Sequence, residues 1–420
     1  MGTRTVVVQR QSIRENYSLS ELKSLGEAAG YSIIGSIEQI READPSYQIG
    51  EGKAEELAKL VKNLNADKVI FENDLKPIQE YNLAKLTGVE VIDRFRLILE
   101  IFTQRAATQE SKLQIQLAKL KYELPRAREK VRLAKKGEQP GFHGLGMYDV
   151  DVYYDMIRHQ MATIRNSLKK TAKKRGKHRE RRLEYGFSLI SLAGYTNAGK
   201  STLFNMLAKE KVPVGVGLFT TLSTLTRAVN FSGKKALLTD TVGFIDKLPL
   251  ILIEAFHSTL EETIFSDVIL LVIDVSEPLP EINRKIKCCL DTIREIGASG
   301  ITVVTVLNKI DLITSSELNE KINQIDLLTP HPVAISALHE INLDRLKNEV
   351  ANNLENYINA TFVIPMNKQA MSLLSWIHSR ANVIEAQYEN NQIKIKIETL
   401  AWFMNKINAQ IEKLGGKLLD

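Results

Sequence analysis

The chain has 420 residues, about a quarter of them charged, and a formal net charge of +6. That length calls for roughly two to four separate cores. Its two cysteines, adjacent at Cys288 and Cys289, exclude a disulfide framework or a cysteine metal cluster and fit a reducing compartment. The first residues carry too little apolar content for a signal peptide, and the longest apolar runs, such as Val268–Ile273, are strand length. A cytoplasmic protein without a membrane span is expected. The charge is uneven. Arg165–Glu184 holds ten Lys or Arg against two Glu, a local net of +8, so the rest of the chain sums to about −2.

Residues 1–110 read as a small α/β domain. Thr5–Val8, Tyr31–Ile34, Tyr47–Ile49, Lys68–Phe71 and Val89–Ile92 have strand character, and Leu19–Ala29, Ala54–Leu64 and Lys76–Leu86 have helical periodicity. This alternation implies a mostly parallel sheet. Gly50-Glu51-Gly52-Lys53 falls at a strand-to-helix turn and reads as a structural turn; a second phosphate site there is the sharper alternative.

Residues 111–185 read as a helical hairpin. Arg94–Ala107 leads in as a helix, and Leu113, Leu117, Leu120 and Leu124 then form a seam for a partner helix, with Pro125 expected to kink or interrupt it. Gly137–Gly146 is too rich in glycine for a helix, and Val152–Arg182 resumes helical character. This arm carries Lys169, Lys170, Lys173, Lys174, Arg175, Lys177, Arg179, Arg181 and Arg182. A run of one sign repels itself unless a polyanion offsets it, so RNA contact is expected here rather than a merely solvated face.

Residues 186–355 carry the densest signal. An apolar run, Phe187–Ala193, precedes Gly194, Tyr195, Thr196, Asn197, Ala198, Gly199, Lys200 and Ser201, and Thr202–Leu207 follows as helix. The pattern of Gly, four free residues, Gly, Lys, Ser between a strand and a helix is a phosphate-binding loop. Its amides and the helix N-terminus face a phosphate, Lys200 bridges the β- and γ-phosphates, and Ser201 ligates Mg²⁺. Downstream, Phe219, Thr220, Thr221 and Leu222 supply a threonine for Mg²⁺ and the γ-phosphate, with Thr221 preferred. Ala236–Thr239 is a strand ending at Asp240, Thr241, Val242 and Gly243; Asp240 holds Mg²⁺ through water and the Gly243 amide senses the γ-phosphate.

After Val268–Ile273 and Ile301–Leu307, the second of these strands ends in Asn308, Lys309 and Asp311. A carboxylate at Asp311 accepts both N1–H and the 2-amino group of guanine, a donor pair adenine lacks. Lys309 lies along the base, Asn308 braces the loop, and Ser336, Ala337 and Leu338 follow Val333–Ile335, with the Ala337 amide aimed at guanine O6. Elements in this order at strand ends describe a Ras-like domain binding GTP or GDP. The residue after Gly243 is Phe244, where such domains commonly carry a Gln that orients water. Hydrolysis is therefore expected to need outside positioning, and no catalytic base is assigned. Residues 356–420 read as a small α/β domain, with strands at Thr361–Ile364 and Gln392–Ile397 and helices at Gln369–Ala381 and Thr399–Leu414. The fold class expected is α/β and multidomain.

With these residues in view, the chain resembles the HflX-type GTPases. The phosphate loop with Thr202-Leu-Phe-Asn after it, Asp240-Thr-Val-Gly-Phe-Ile, Glu254-Ala-Phe-His-Ser-Thr-Leu-Glu-Glu262, Asp93-Arg94, Gln104-Arg-Ala106 and Gln114-Ile-Gln-Leu-Ala118 carry the resemblance. Thr221-Leu-Ser-Thr-Leu-Thr-Arg stands where bacterial members typically have Thr-Leu-Asp-Pro, which marks an archaeal-type member. The resemblance implies a GTPase that docks on the large ribosomal subunit and its rRNA and splits or rescues ribosomes under stress; a monomer is expected. Two alternatives are a non-catalytic, GTP-regulated RNA-binding or assembly module and an ATP-driven RNA remodeller using the Gly50–Lys53 turn.

Overall fold

The computed structural model describes residues 2–12, 19–135, 147–184, 186–209, 225–241, 243–245, 251–252, 263–325, 329–354, 357–389 and 391–419. The chain divides into two compact units, one holding Met1–Thr171 and the other most of the remainder.

The first unit opens with β1 (Arg4–Gln11), α1 (Leu19–Ala28), β2 (Ser32–Ile40), α2 (Glu51–Leu64), β3 (Lys68–Phe71), α3 (Pro77–Thr87), β4 (Glu90–Asp93) and α4 (Arg94–Arg105). All four strands run parallel in the order β2-β1-β3-β4. Ala54, Leu57 and Val61 recur every three to four residues on α2 and are buried against Val6, Val8, Val69 and Phe71 of the strands. Helix α3 starts with Pro77, whose missing N–H costs nothing in a first turn, and stops at Gly88, φ +74°. Tyr47–Ile49 is not a strand: Gln48 sits at φ +67°, and an isolated bridge between Asp44 and Gln48 closes a tight loop instead.

Two longer helices follow, α5 (Gln109–Lys135) and α6 (Met147–Glu184). Pro125 lies inside α5 without ending it. The missing donor is tolerated because the seam continues past it: Leu117, Leu120 and Ala127 are buried with Ile157, Met161 and Ile164. Gly137–Gly146 lies outside the described residues. Helix α5 is tied to the sheet by polar contacts. Tyr122 donates to Asp93 at 2.5 Å and stacks on Phe95 at 4.3 Å, and the Arg126 guanidinium lies 3.6 Å over the Tyr122 ring. Asp93 also caps α4 by accepting from Arg96 N. Arg94 is held between Glu21 and Glu72.

The second unit carries a six-stranded sheet ordered β10-β9-β8-β5-β7-β6. Its elements are β5 (Ser188–Gly194), α7 (Lys200–Ala208), β6 (Leu225–Phe231), β7 (Lys234–Asp240), β8 (Val268–Asp274), α8 (Leu279–Glu295), β9 (Thr302–Asn308), α9 (Ser315–Ile325), β10 (Val333–Ala334) and α10 (Leu343–Asn353). Only β6 is antiparallel to its neighbour. Every residue of β8 is buried, as a strand covered on both faces requires. Helix α8 buries Ile282, Ile286, Cys289 and Ile293 along one stripe. This is the Ras-like arrangement expected.

β11 (Tyr357–Pro365), α11 (Lys368–His378), β12 (Asn382–Glu389), β13 (Gln392–Leu400), α12 (Ala401–Lys413) and β14 (Lys417–Leu418) complete the chain. Their antiparallel sheet, ordered β12-β13-β11-β14, is a split β-α-β arrangement. Ile393, Ile395 and Ile397 alternate inward from β13 onto Phe403, Ile407 and Ile411 of α12. It packs on the β6–β7 hairpin. Tyr357 donates to Lys235 O at 3.3 Å, Lys234 lies 4.5 Å over the Tyr357 ring, and Gly186 fits against Phe403 where a Cβ would come within 2.8 Å of the ring. Among the described residues no helix is long and apolar enough to cross a membrane.

Candidate functional site

The strand ends of the second unit place the motif residues together. Gly194 ends β5 at φ +145°, and a Cβ there would sit 2.3 Å from Val272 O. Gly199 caps α7 at φ +96°, and a Cβ there would strike Asn308 Nδ2 at 2.2 Å. Both positions therefore require glycine. Between them Tyr195, Thr196 and Ala198 are buried and Asn197 is exposed at φ +64°. Lys200 is buried at the start of α7 and donates to Gly194 O at 3.0 Å and Tyr195 O at 2.7 Å. Burial lowers its ammonium to about 8, partly opposed by the Asp240 carboxylate. Beneath the loop, burial pushes the Cys289 thiol up to about 12, so it serves as packing and not as a nucleophile.

Ser201 Oγ donates to Asp240 Oδ2 at 3.0 Å. A hydroxyl and a carboxylate oxygen side by side suit a hard cation such as Mg²⁺. Among the described residues, no group of three or more His, Cys, Asp or Glu is placed to hold a metal ion. Thr241 Oγ1 donates to Leu192 O at 2.5 Å and pins the Asp240 strand end to β5. Gly243 lies where a Cβ would meet Lys200 Nζ and Thr196 Cγ2, each at 2.9 Å. Thr196 Oγ1, buried at this point, has no hydrogen-bond partner among the described residues, as a group facing a polar ligand would.

Phe244 donates from its backbone to Gly194 O at 3.0 Å and accepts from Thr196 N at 2.9 Å; its ring is fully buried. A buried ring has no polar atom to orient a water. Phe219, Thr220, Thr221, Leu222 and Val242 lie outside the described residues.

At the other end of the loop Asn308 is the brace. Its Nδ2 donates to Ala198 O at 2.8 Å, and its Oδ1 accepts from Ala337 N at 2.9 Å. The Ala337 amide, aimed at guanine O6 on the sequence reading, is thus engaged by Asn308. Lys309 stands at φ +69° with its ammonium 2.5 Å from Asp274 Oδ2. Asp311 follows in a single 3₁₀ turn, Ile310–Leu312, with His339 Nε2 3.8 Å away. Ser336 is buried and accepts from His339 N, while Leu338 is exposed. Sequence reading missed Asp274. It is the first polar residue after a buried apolar strand, the same signal that marked Asp240, but its partner lies 35 positions away.

The other sequence candidates divide. Lys169 and Lys170 are exposed on α6, and Lys173, Lys174, Arg175, Lys177, Arg179, Arg181 and Arg182 continue that helix. Gly50 caps α2 and Glu51–Lys53 form its first turn: Gly50 N donates to Gln39 Oε1 at 2.9 Å, and Lys53 pairs with Glu56 at 2.8 Å.

Three family models match the chain between residues 16 and 309. Family models match residues 16–103 (GTP-binding GTPase N-terminal), 105–182 (GTP-binding GTPase middle region) and 189–309 (50S ribosome-binding GTPase). GTPase HflX of Thermococcus kodakarensis is 41% identical over 98% of this chain and 96% of its own length. GTPase HflX of Methanocaldococcus jannaschii is 42% identical, covering 96% and 98%, and that of Escherichia coli is 36% identical, covering 79% and 80%. Among solved structures, a GTP-binding protein from the archaeon Sulfolobus solfataricus in complex with GDP aligns at 26% identity over 83% of this chain and 98% of its own, with a TM-score of 0.46.

Proposed function

The chain belongs to the HflX GTPases, and from that premise we propose that it binds the large ribosomal subunit in its GTP state, hydrolyses GTP there, and splits or rescues ribosomes under stress. The observation that carries the reading is the pairing of a phosphate loop braced to the base-reading loop by Asn308 with a buried Phe244 in place of a water-orienting residue. A frame of this kind holds the nucleotide but leaves the attacking water without a partner, so turnover waits on a second molecule. The cationic stretch of α6 is suited to rRNA phosphates.

Within the site, the amides of the loop from Gly194 to Ser201 cradle the phosphates and Thr202 extends the first turn beneath them. Lys200 turns from its two carbonyls to the β- and γ-phosphates. Ser201 and Thr221, with Asp240 through a water, would hold Mg²⁺, which would neutralise charge on the phosphate oxygens. The Gly243 amide senses the γ-phosphate, and loss of that phosphate releases the loop of Phe219–Leu222. Asp311 reads the guanine edge, with Lys309 along the base and Ser336, Ala337 and Leu338 lining its rim. We assign four parts: an N-terminal α/β domain (1–110), a helical hairpin with the basic arm (111–185), the nucleotide domain (186–355) and a C-terminal α/β domain (356–420). The protein acts as a cytoplasmic monomer.

GTP turnover measured with and without large-subunit particles tests this. The reading expects strong acceleration by the particles; equal rates leave the non-catalytic module as the better account.

A further inference from the structure

We propose that Asp274 is a positioning residue for guanine recognition, holding the Lys309 side chain in place before the nucleotide arrives. The inference rests on the base-site reading above.

Asp274 closes β8 and is nearly buried. Its two oxygens have separate tasks. Oδ2 accepts from Lys309 Nζ at 2.5 Å. Oδ1 accepts from the amide of Ser276 at 3.0 Å and from its hydroxyl at 2.5 Å. With both oxygens engaged, the carboxylate cannot swing away from the lysine without breaking the turn that follows it.

The turn is pinned as well. Val275 N donates to Asn308 O at 3.0 Å, so the strand end carrying Asp274 is fixed to the residue before Lys309. From α9, Lys321 Nζ donates to Val275 O and to Glu277 O, each at 3.0 Å. Asp274 and Asn308 are register partners across β8 and β9. The bracket is therefore rigid relative to the loop that presents the base-binding groups.

Lys309 needs such a bracket for two reasons. It adopts the left-handed backbone region, which a lysine keeps only where its surroundings demand it. Its stem also has four rotatable bonds, and freezing them on binding would weaken affinity. An ion pair formed beforehand removes that penalty from the binding step. A plain structural reading, in which Asp274 merely ends a strand, requires no link to Lys309.

A double-mutant cycle on the full chain separates the two. Release of fluorescently labelled GDP is measured for the wild type, Asp274→Asn, Lys309→Ala and the double variant. Loss of a charged hydrogen bond of this kind predicts release about tenfold faster for Asp274→Asn in the wild-type background and little further effect once Lys309 is alanine. The same acceleration in both backgrounds overturns the proposal. If Asp274→Asn does not fold, Ser276→Ala loosens the carboxylate while keeping its charge; a smaller acceleration that vanishes with Lys309→Ala supports the proposal, and one that persists overturns it. Asp311→Asn runs alongside. If it fails to shift preference from guanosine to xanthosine diphosphate, the base-site reading itself falls; if it shifts while the cycle is additive, only the role of Asp274 falls.

Discussion

Asn308→Ala is the substitution that probes the frame most sharply. Asn308 is 2% exposed and links the phosphate loop, through Ala198 O at 2.8 Å, to the loop at Ala337 N at 2.9 Å. Alanine removes both hydrogen bonds and strands a buried carbonyl and a buried amide. Each stranded group costs about 1–3 kcal/mol, so roughly 2–4 kcal/mol is lost in total, allowing for partial solvation of the gap. Part of this loss falls on folding and part on nucleotide binding, because the bonds hold two ligand loops to each other. GDP release should accelerate by about one to two orders of magnitude, with a lower unfolding midpoint in the nucleotide-free protein. Asn308→Asp keeps the acceptor for Ala337 N but sets a buried carboxylate oxygen against Ala198 O, so it should cost at least as much as alanine. Stopped-flow release of labelled GDP and thermal unfolding read both components. Wild-type release together with a wild-type midpoint for Asn308→Ala would refute the bracing argument.

Other expectations follow from single features. Gly194→Ala places a Cβ 2.3 Å from Val272 O in a backbone conformation unsuited to alanine, so nucleotide binding should be lost together with stability, as calorimetry and thermal unfolding will show. Burial raises the Glu72 carboxyl to about 7, against the attraction of Arg94. A folded-state value above the unfolded one means this group's stabilisation is fully present below about 4.5 and is lost as pH rises through about 7. Glu72→Gln should flatten that part of the stability–pH profile between pH 5 and 8; an unchanged slope would show that other groups set it. Tyr357→Phe removes the phenol's bond to Lys235 O and should lower stability by about 1 kcal/mol with GDP affinity unchanged, read by denaturant unfolding and calorimetry.

Much of the architecture was legible because the chain writes its strand ends as short local words. Gly194–Ser201, Asp240–Gly243 and Asn308–Asp311 each follow a buried apolar run, and the sheet order brings those ends to one edge. Where local and tertiary forces disagree, the fold departs from the local pattern. Tyr47–Ile49 has strand composition, yet the left-handed Gln48 turns it into a loop. Pro125 reads as a kink or an interruption; buried residues on either side of it keep one helix, so it does not interrupt. β12 went unseen because Asn382–Glu389 lies mostly exposed and lacks a clear apolar alternation. The tie between Asp274 and Lys309 joins two strand ends distant in sequence, and only strand pairing shows it. The same holds for Ala337, whose amide goes to Asn308.

Nucleotide-dependent attachment to the ribosome is the central expectation for this chain. Sedimentation of the full chain with large ribosomal subunits, in GTP, in GDP and in a non-hydrolysable GTP analogue, tests this most directly. Co-sedimentation with the analogue and release with GDP is the expected result. A chain that stays in the supernatant in all three states, or pellets equally in all three, would contradict it.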